Sequence, residues 1–303
     1  MLLRLCELTS EQSQIQLKST DYPALYQAAS DLSQKSQNAF YSAFLAHMAL
    51  LAIATLVSIA NSPFAEVAIL QAMVLVGALA CAIYLFMGRP DRQWYGGRAV
   101  AESIKTLTWR YISRAEPFDH TDAIDSHEFR LKLRAVVDQN KEVASLLTTH
   151  LAAEQIAPEL ERLRQAQSID RLEYYRSHRI IEQQTWYAKK AAANKRMVRR
   201  FYIGLFVTIG LAILFAIAKV KYPTAQYWPT DFFVTAAAGI LSWIQAKRFQ
   251  ELSTSYTLTA HEISLIRQQA NGPMTDVELS KFVGDTENAF SREHTQWIAR
   301  KDT

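Results

Sequence analysis

The residues of this chain best suited to ligand chemistry are concentrated in one basic segment that contains two adjacent aromatic residues. Lysine and arginine side chains bind phosphate groups, and aromatic rings stack on nucleobases. The candidate site for a phosphate-rich ligand consists of Trp186, Tyr187, Lys189, Lys190, Lys195, Arg196, Arg199 and Arg200. The same positive charges could instead fix the orientation of the following apolar helix and contact anionic lipids. Both interpretations remain open on the sequence alone.

A second set of polar residues lies inside segments that are otherwise apolar. An ionisable residue such as His47 within a membrane segment indicates a pore or proton-sensing group, or else a neutral imidazole hydrogen-bonded to a neighbouring helix. Hydroxyl and amide side chains in such segments mostly join helices, but in an oligomer some could line a water-filled path. The candidate pore-lining residues are His47, Thr55, Ser58, Gln71, Thr208, Thr235, Ser242 and Gln245.

The sequence carries no motif typical of an active site. It has no glycine-rich phosphate loop, no HExxH and no GxSxG. The acidic cluster between Asp119 and Glu128 could bind a metal, but we favour carboxylates that cap a helix beginning near His127. The two cysteines, Cys6 and Cys81, are too few for a thiolate metal site. We therefore expect no enzyme, no metal site and no cofactor.

Four apolar segments predict membrane-spanning helices. Crossing a hydrocarbon core of ~30 Å takes roughly 20 apolar residues. The segments are residues 40–60, 67–86, 201–218 and 228–246, and the first pair is joined by a short turn at residues 61–63. Glycine and proline are few, and no alternating strand pattern occurs. The expected fold class is an all-α integral membrane protein with four spans arranged as two hairpins.

The flanking positive charges predict the orientation of these spans. Basic residues follow the second segment and precede the third, and cytoplasmic loops carry the excess of lysine and arginine. Both termini and the central region are therefore expected in the cytoplasm. Four helices alone enclose little water, so we also expect a homo-oligomer surrounded by membrane lipid.

The chain divides into two similar halves, residues 1–150 and 151–303. Each half has a helix running into the membrane, a hairpin, and a helix running out. Residues 88–90 predict a break after the second span, whereas residues 240–271 lack an internal proline and predict one uninterrupted helix. Thr275 and Glu278 form a capping-box pattern.

Apolar residues at alternating three- and four-residue steps predict a coiled-coil-like cytoplasmic region. The first seam contains Trp94, Gly97, Ala101, Ile104, Thr108, Tyr111 and Ala115. The second contains Phe129, Leu133, Val136, Asn140, Val143, Leu147 and Leu151. These faces could pack against each other or against another subunit.

Three stretches of the chain resemble a known family. Residues 180–195 read IIEQQTWYAKKAAANK and lead directly into an apolar segment, and residues 287–297 read ENAFSREHTQW. The first half has Trp94-Tyr95, then AESIK at residues 101–105 and WRY at residues 109–111. Together they are similar to SLATT proteins, the two-transmembrane effector domains associated with bacterial nucleotide-signalling defence systems, arranged here in tandem.

The resemblance implies a pore-forming effector of the bacterial inner membrane that a nucleotide signal controls and that halts a phage-infected cell. It also implies a partner nucleotidyltransferase that makes the nucleotide or oligonucleotide. The competing hypothesis is a non-conducting membrane scaffold that recruits a partner through its cytoplasmic coiled coils. A secondary transporter fits less well, because we find no pair of broken helices or midplane ion site.

Overall fold

The structure is a computed structural model that describes residues 17–59, 64–270 and 272–299. Within these ranges the ordered elements are all helical, as the sequence predicts. The α-helices are α1 (Ala24–Ile59), α2 (Ala65–Gly88), α3 (Pro90–Ile112), α4 (Asp122–Gln139), α5 (Lys141–Ala144), α6 (Pro158–Gln165), α7 (Ser168–Tyr175), α8 (Glu182–Lys221), α9 (Thr230–Lys247), α10 (Phe249–Gln269) and α11 (Asp276–Ala299). A π-helix, Arg176–Ile181, joins α7 to α8. The predicted turn at residues 61–63 and Cys6 lie outside the described residues.

Among the residues that the structure describes, three helical stretches are long and apolar enough to cross a membrane. They are α1, the stretch Ala65–Ile112 that combines α2 and α3, and the stretch Ser168–Lys221 that runs from α7 through α8. The most apolar part of each stretch, 18 residues long, is called its apolar window below. Few residues of these windows are buried inside the protein. Large apolar side chains are therefore exposed along these windows. Such exposure is unfavourable in water and is expected for helices in contact with lipid.

The fourth predicted span is helical, but α9 is not among the three stretches found in the described residues. Its 18 residues extend about 27 Å, slightly less than the hydrocarbon core of a typical bilayer. It also begins with Asp231 in its first turn and ends with Gln245 and Lys247. The prediction of four spans is therefore not confirmed by the helices themselves.

The chain forms two compact units, each assembled from separate segments. The polar unit consists of Met1–Lys35, Arg92–Gln183 and Ile263–Thr303. The apolar unit consists of Ser36–Asp91 and Gln184–Glu262 and contains the three apolar windows.

The first predicted seam forms the core of the polar unit. All seven of its residues, from Trp94 to Ala115, are buried. At Gly97 an added Cβ would lie 3.0 Å from the Ala29 carbonyl oxygen of α1, so a larger residue would require the two helices to move apart slightly. The second seam is buried at Phe129, Leu133 and Leu147, but Leu151 is 80% exposed. The seam positions therefore pack within this unit, and a coiled coil is not confirmed.

In the apolar unit the side-chain contacts connect the helices in the order α2, α1, α9, α8. Leu50 of α1 packs against Gly77 of α2, and Met48 of α1 lies against Gly239 of α9. A small cluster formed by Leu205, Ala237 and Ile244 then joins α9 to α8. The windows are thus held side by side through small residues that allow close approach.

Two residues in the left-handed conformation end helices in this unit. Arg89, with φ 43°, separates α2 from α3, which confirms the break predicted at residues 88–90. Arg248, with φ 49°, separates α9 from α10, so the prediction of one helix through residues 240–271 is wrong. The Arg248 N–H bonds back to Ile244 and Gln245 carbonyls, and its side chain pairs with Glu251 at 2.5 Å. This cap uses an arginine where glycine is usual.

Candidate functional site

Helix α8 carries all eight residues of the predicted ligand site just before its apolar window. The six basic side chains are exposed. Lys195 and Arg199 lie one turn apart on one face, and Arg196 and Arg200 are related in the same way on the next face. The basic residues therefore surround the exposed part of the helix and do not converge on one point.

The two aromatic residues of the segment anchor α8 to α10. The Trp186, Tyr187 and Tyr256 rings form a cluster with centroids 5.0 to 5.5 Å apart. Tyr187 is only 3% exposed. Trp186 is half-buried, and the Lys190 ammonium lies 5.6 Å from its ring centroid. Much of the surface of the Trp186 and Tyr187 rings is therefore covered by contacts within the protein.

An open groove of about 570 Å³ lies between α8 and α10. Its α8 wall consists of Lys195, Val198 and Arg199. Its α10 wall consists of Gln250, Ser253, Thr254, Thr257 and Leu258. The structure thus brings two of the eight predicted residues together in a groove. The other four basic residues, Lys189, Lys190, Arg196 and Arg200, are not among the residues that line it.

The α10 wall of the groove was missed by sequence reasoning. Gln250, Ser253, Thr254 and Thr257 are spaced three and four residues apart, so this polar stripe on one helix face was visible in the sequence. Thr254 and Thr257 donate their hydroxyl protons to carbonyls one turn earlier in α10, and Ser253 donates its hydroxyl proton to the Ala191 carbonyl of α8. The strong donors that the groove offers to an anion are therefore the two cations and the Gln250 amide.

Two of the predicted pore residues connect α1 to α2. His47 Nδ1 lies 2.9 Å from the Ala78 carbonyl oxygen, and because a carbonyl only accepts, Nδ1 is the donor. The Gln71 amide nitrogen donates to the Ala54 carbonyl at 3.4 Å. Both side chains are half-buried and leave further hydrogen-bonding atoms available.

The remaining predicted pore residues do not converge. Thr55 and Thr208 donate to carbonyls of their own helices, those of Ala52 and Gly204. Thr235 and Ser242 on α9 are half-buried, whereas Ser58 and Gln245 are exposed. The eight residues are distributed over four helices of one chain and do not form a single site within it.

A buried ion pair and the hydrogen bonds around it join α3, α7, the π-helix and α11 of the polar unit. The Arg179 side chain donates to both carboxylate oxygens of Glu287 at 2.8 and 2.7 Å, and both residues are almost fully buried. The Tyr175 hydroxyl and the Thr106 hydroxyl each donate to the same carboxylate at 2.9 Å. Arg179 lies in the π-helix, an element often found at functional positions. This ion pair fixes the segment from which α8 continues.

The pKa values of this cluster follow from its burial and from the Glu287 charge. Desolvation, followed by the negative charge of Glu287, raises the pKa of Tyr175 well above its usual value. For Arg179, desolvation lowers the pKa, but the charge of Glu287 and its hydrogen bonds outweigh this effect and raise the pKa overall. Tyr175 therefore stays a neutral donor, and Arg179 stays charged.

The acidic cluster differs in part from the prediction. Helix α4 begins at Asp122, five residues before His127, and its N-cap Thr121 forms no side-chain cap. Two of the carboxylates bind an arginine. Arg164, 1% exposed, donates to Asp122 at 2.9 Å and pairs with the buried Asp125. Asp125 also accepts a hydrogen bond from the His120 N–H, just before the helix, at 3.0 Å. The predicted helix start near His127 is therefore wrong, while Asp125 serves both the start of the helix and Arg164. Within the described residues, no group of three or more metal-ligating side chains is present.

The described residues define a helical protein whose long apolar helices, able by length and composition to cross a membrane, continue into polar segments. Residues 23–172 match the family model for SLATT_3, the SMODS and SLOG-associating 2TM effector domain 3. Residues 175–297 match SLATT_1, the SMODS and SLOG-associating 2TM effector domain 1. The chain therefore belongs to the SLATT family and carries two SLATT domains in tandem.

Neither a curated protein nor a solved structure matches the chain. The family itself supplies a general role, because SLATT domains are two-transmembrane effector domains associated with nucleotide-signalling defence systems. Together with the three apolar helices, this makes the chain a membrane-associated effector.

Proposed function

We propose that the protein is an oligomeric pore effector of a bacterial anti-phage defence system and is not an enzyme. A nucleotide or oligonucleotide made by a partner nucleotidyltransferase changes its conductance, and the open pore permeabilises the inner membrane. The observation that carries this proposal is the tandem of two-transmembrane effector domains. The exposed apolar windows of α2 and α8, with Val76 and Phe206 both 65% exposed, support contact with lipid and with further copies.

The proposed topology has four spans, with α9 as the fourth. Two domains of a 2TM family supply four spans, and α9 packs between α1 and α8. A helix shorter than the hydrocarbon core is accommodated by local thinning or by oligomerisation. Basic residues at the ends of α2 and α9 and before the window of α8 support cytoplasmic termini.

Coupling between ligand and pore follows from helix continuity. Helix α8 by itself contains both the polar, basic segment with Lys195 and Arg199 and the apolar window that follows it. A shift or rotation imposed on the polar segment is therefore carried along the helix axis. In an oligomer the half-buried His47 and Gln71 are polar side chains able to contact water within the membrane.

Ion flux through liposomes tests the proposal. Purified full-length protein is reconstituted, and flux is measured with and without a panel of cyclic dinucleotides and linear oligonucleotides. We expect flux that one ligand changes. A matched control is protein heated to denature it before reconstitution, which should give no ligand-dependent signal.

The second candidate function is a non-conducting membrane scaffold, and hydrogen bonds that several polar residues already form within the protein favour it. Thr55 and Thr208 bond within their own helices, and His47 bonds to Ala78, so these groups need no water-filled path. Folded and inserted protein that conducts no ions under any ligand would support a non-conducting scaffold and contradict the pore.

A further inference from the structure

Two cations at the groove between α8 and α10 have no acidic partner in the part of the chain that the structure describes. Lys195 and Arg199 form no ion pair there, and no carboxylate lines the groove. The arginines of the polar unit differ, since Arg114, Arg164 and Arg179 each bind a carboxylate. An excess of positive charge in a concave surface attracts an anion.

The groove also has an apolar component. Val198 and Leu258 contribute to its lining, and Leu258 is 60% exposed to solvent. A volume of about 570 Å³ lies in the range of small-molecule sites. A ligand that matches all these features has an anionic group and an apolar part of moderate size.

We propose that this groove binds a phosphate-bearing ligand with an apolar portion. The phosphate lies between Lys195 and Arg199 and accepts a further hydrogen bond from the Gln250 amide. The apolar portion lies against Val198 and Leu258. Where the phosphate belongs to a soluble nucleotide, the inference rests on the proposed function, because it then assigns the ligand site of the effector to this groove and not to the whole basic segment.

Two sources can supply this chemistry. A soluble nucleotide has a phosphate and a flat base, and an anionic phospholipid has a phosphate and an acyl chain. The groove ends within one turn of Phe201, where the apolar window of α8 begins, so a lipid headgroup at the membrane surface can also reach it. The experiment therefore includes both.

Binding to the intact protein in nanodiscs of phosphatidylcholine tests the site. For the soluble source, the probe is a fluorescent adenine dinucleotide, followed by polarisation. For the lipid source, the probe is a spin-labelled phosphatidylglycerol included in the nanodisc. We expect saturable binding of at least one probe.

Three variants give the specificity of the test. The double variant Lys195→Gln/Arg199→Gln should weaken binding by roughly a hundredfold, since each charge-assisted hydrogen bond removed is worth about tenfold or more. The matched control Lys189→Gln/Lys190→Gln removes equal charge from α8 outside the groove and should change binding by less than about threefold. Thr254→Phe keeps the charge but fills the groove from the α10 side, and it should also weaken binding.

Equal losses in the two double variants would overturn the site and indicate general attraction to a basic helix. Unchanged binding in Thr254→Phe, or no saturable binding of either probe, would overturn it as well. These results are distinct from failure of the pore, because binding is measured without ion flux. A protein that conducts but binds neither probe refutes the groove and leaves the pore intact.

Discussion

Replacing Glu287 by glutamine should strongly destabilise the helices of the polar unit. The carboxylate accepts two hydrogen bonds from Arg179 and one each from Tyr175 and Thr106, and it is fully buried. Glutamine keeps the shape but removes the negative charge and replaces one acceptor by a donor. The positive charge of Arg179 is then buried without its directly bonded counter-charge, which costs about 3–5 kcal/mol.

Hydrogen exchange followed by mass spectrometry measures this loss in detergent or nanodiscs. A loss of about 3–5 kcal/mol in opening free energy lowers the protection of α11 by roughly two to four powers of ten. The control is Asp285→Asn on the same helix, where the side chain is exposed and a change within about 0.5 kcal/mol is expected. The double variant Arg179→Met/Glu287→Met removes both charges and should be closer to the wild type than Glu287→Gln. Protection of α11 in Glu287→Gln within tenfold of the wild type would refute the reasoning.

Two further predictions concern the polar unit. Gly97→Ala places a methyl group 3.0 Å from the Ala29 carbonyl oxygen, so the unit should lose about 1–3 kcal/mol, measured as a lower midpoint of thermal unfolding in detergent. An unchanged midpoint would show that α1 and α3 separate freely. The Thr275 N–H and hydroxyl both donate to Glu278 and lower the pKa of its carboxyl, so Thr275→Ala should raise that pKa towards its usual value in a titration followed by NMR. Because the folded-state pKa is depressed, the capping contribution is present at neutral pH and is lost as the pH falls through that pKa. Alanine keeps the backbone N–H, so an unchanged Glu278 titration would mean that the Thr275 hydroxyl contributes nothing to the cap.

Features determined by local chemistry were predictable from the sequence. The all-helical fold, the break at residues 88–90 and the capping box of Thr275 with Glu278 each depend on neighbouring residues. The first seam was predictable too, because apolar residues at helical spacing occupy one face whatever that face packs against.

Features that depend on distant partners were not predictable. Arg179 and Glu287 are 108 residues apart, and nothing local indicates that they pair. The break at Arg248 has no glycine or proline signal, and its left-handed conformation is accompanied by the ion pair with Glu251. Asp125 bonds to the backbone at the start of its helix, as a local pattern suggests, but its ion pair with Arg164 of another helix had no local signal.

The candidate site was predictable in part. The basic segment before the third apolar window was evident, because charge next to an apolar run is a sequence property. The sequence did not indicate which of these basic residues line a groove. The structure shows that only Lys195 and Arg199 face the polar stripe of α10. The buried position of Tyr187 needed the structure as well.

Recording from a planar bilayer tests the central proposal most directly. Purified protein is inserted, and current is followed while the nucleotide panel is added to one side and then to the other. The proposal predicts discrete conductance steps whose frequency changes only when the active ligand is added on the side of the chain termini. Inserted protein that gives no steps with any ligand on either side would contradict it.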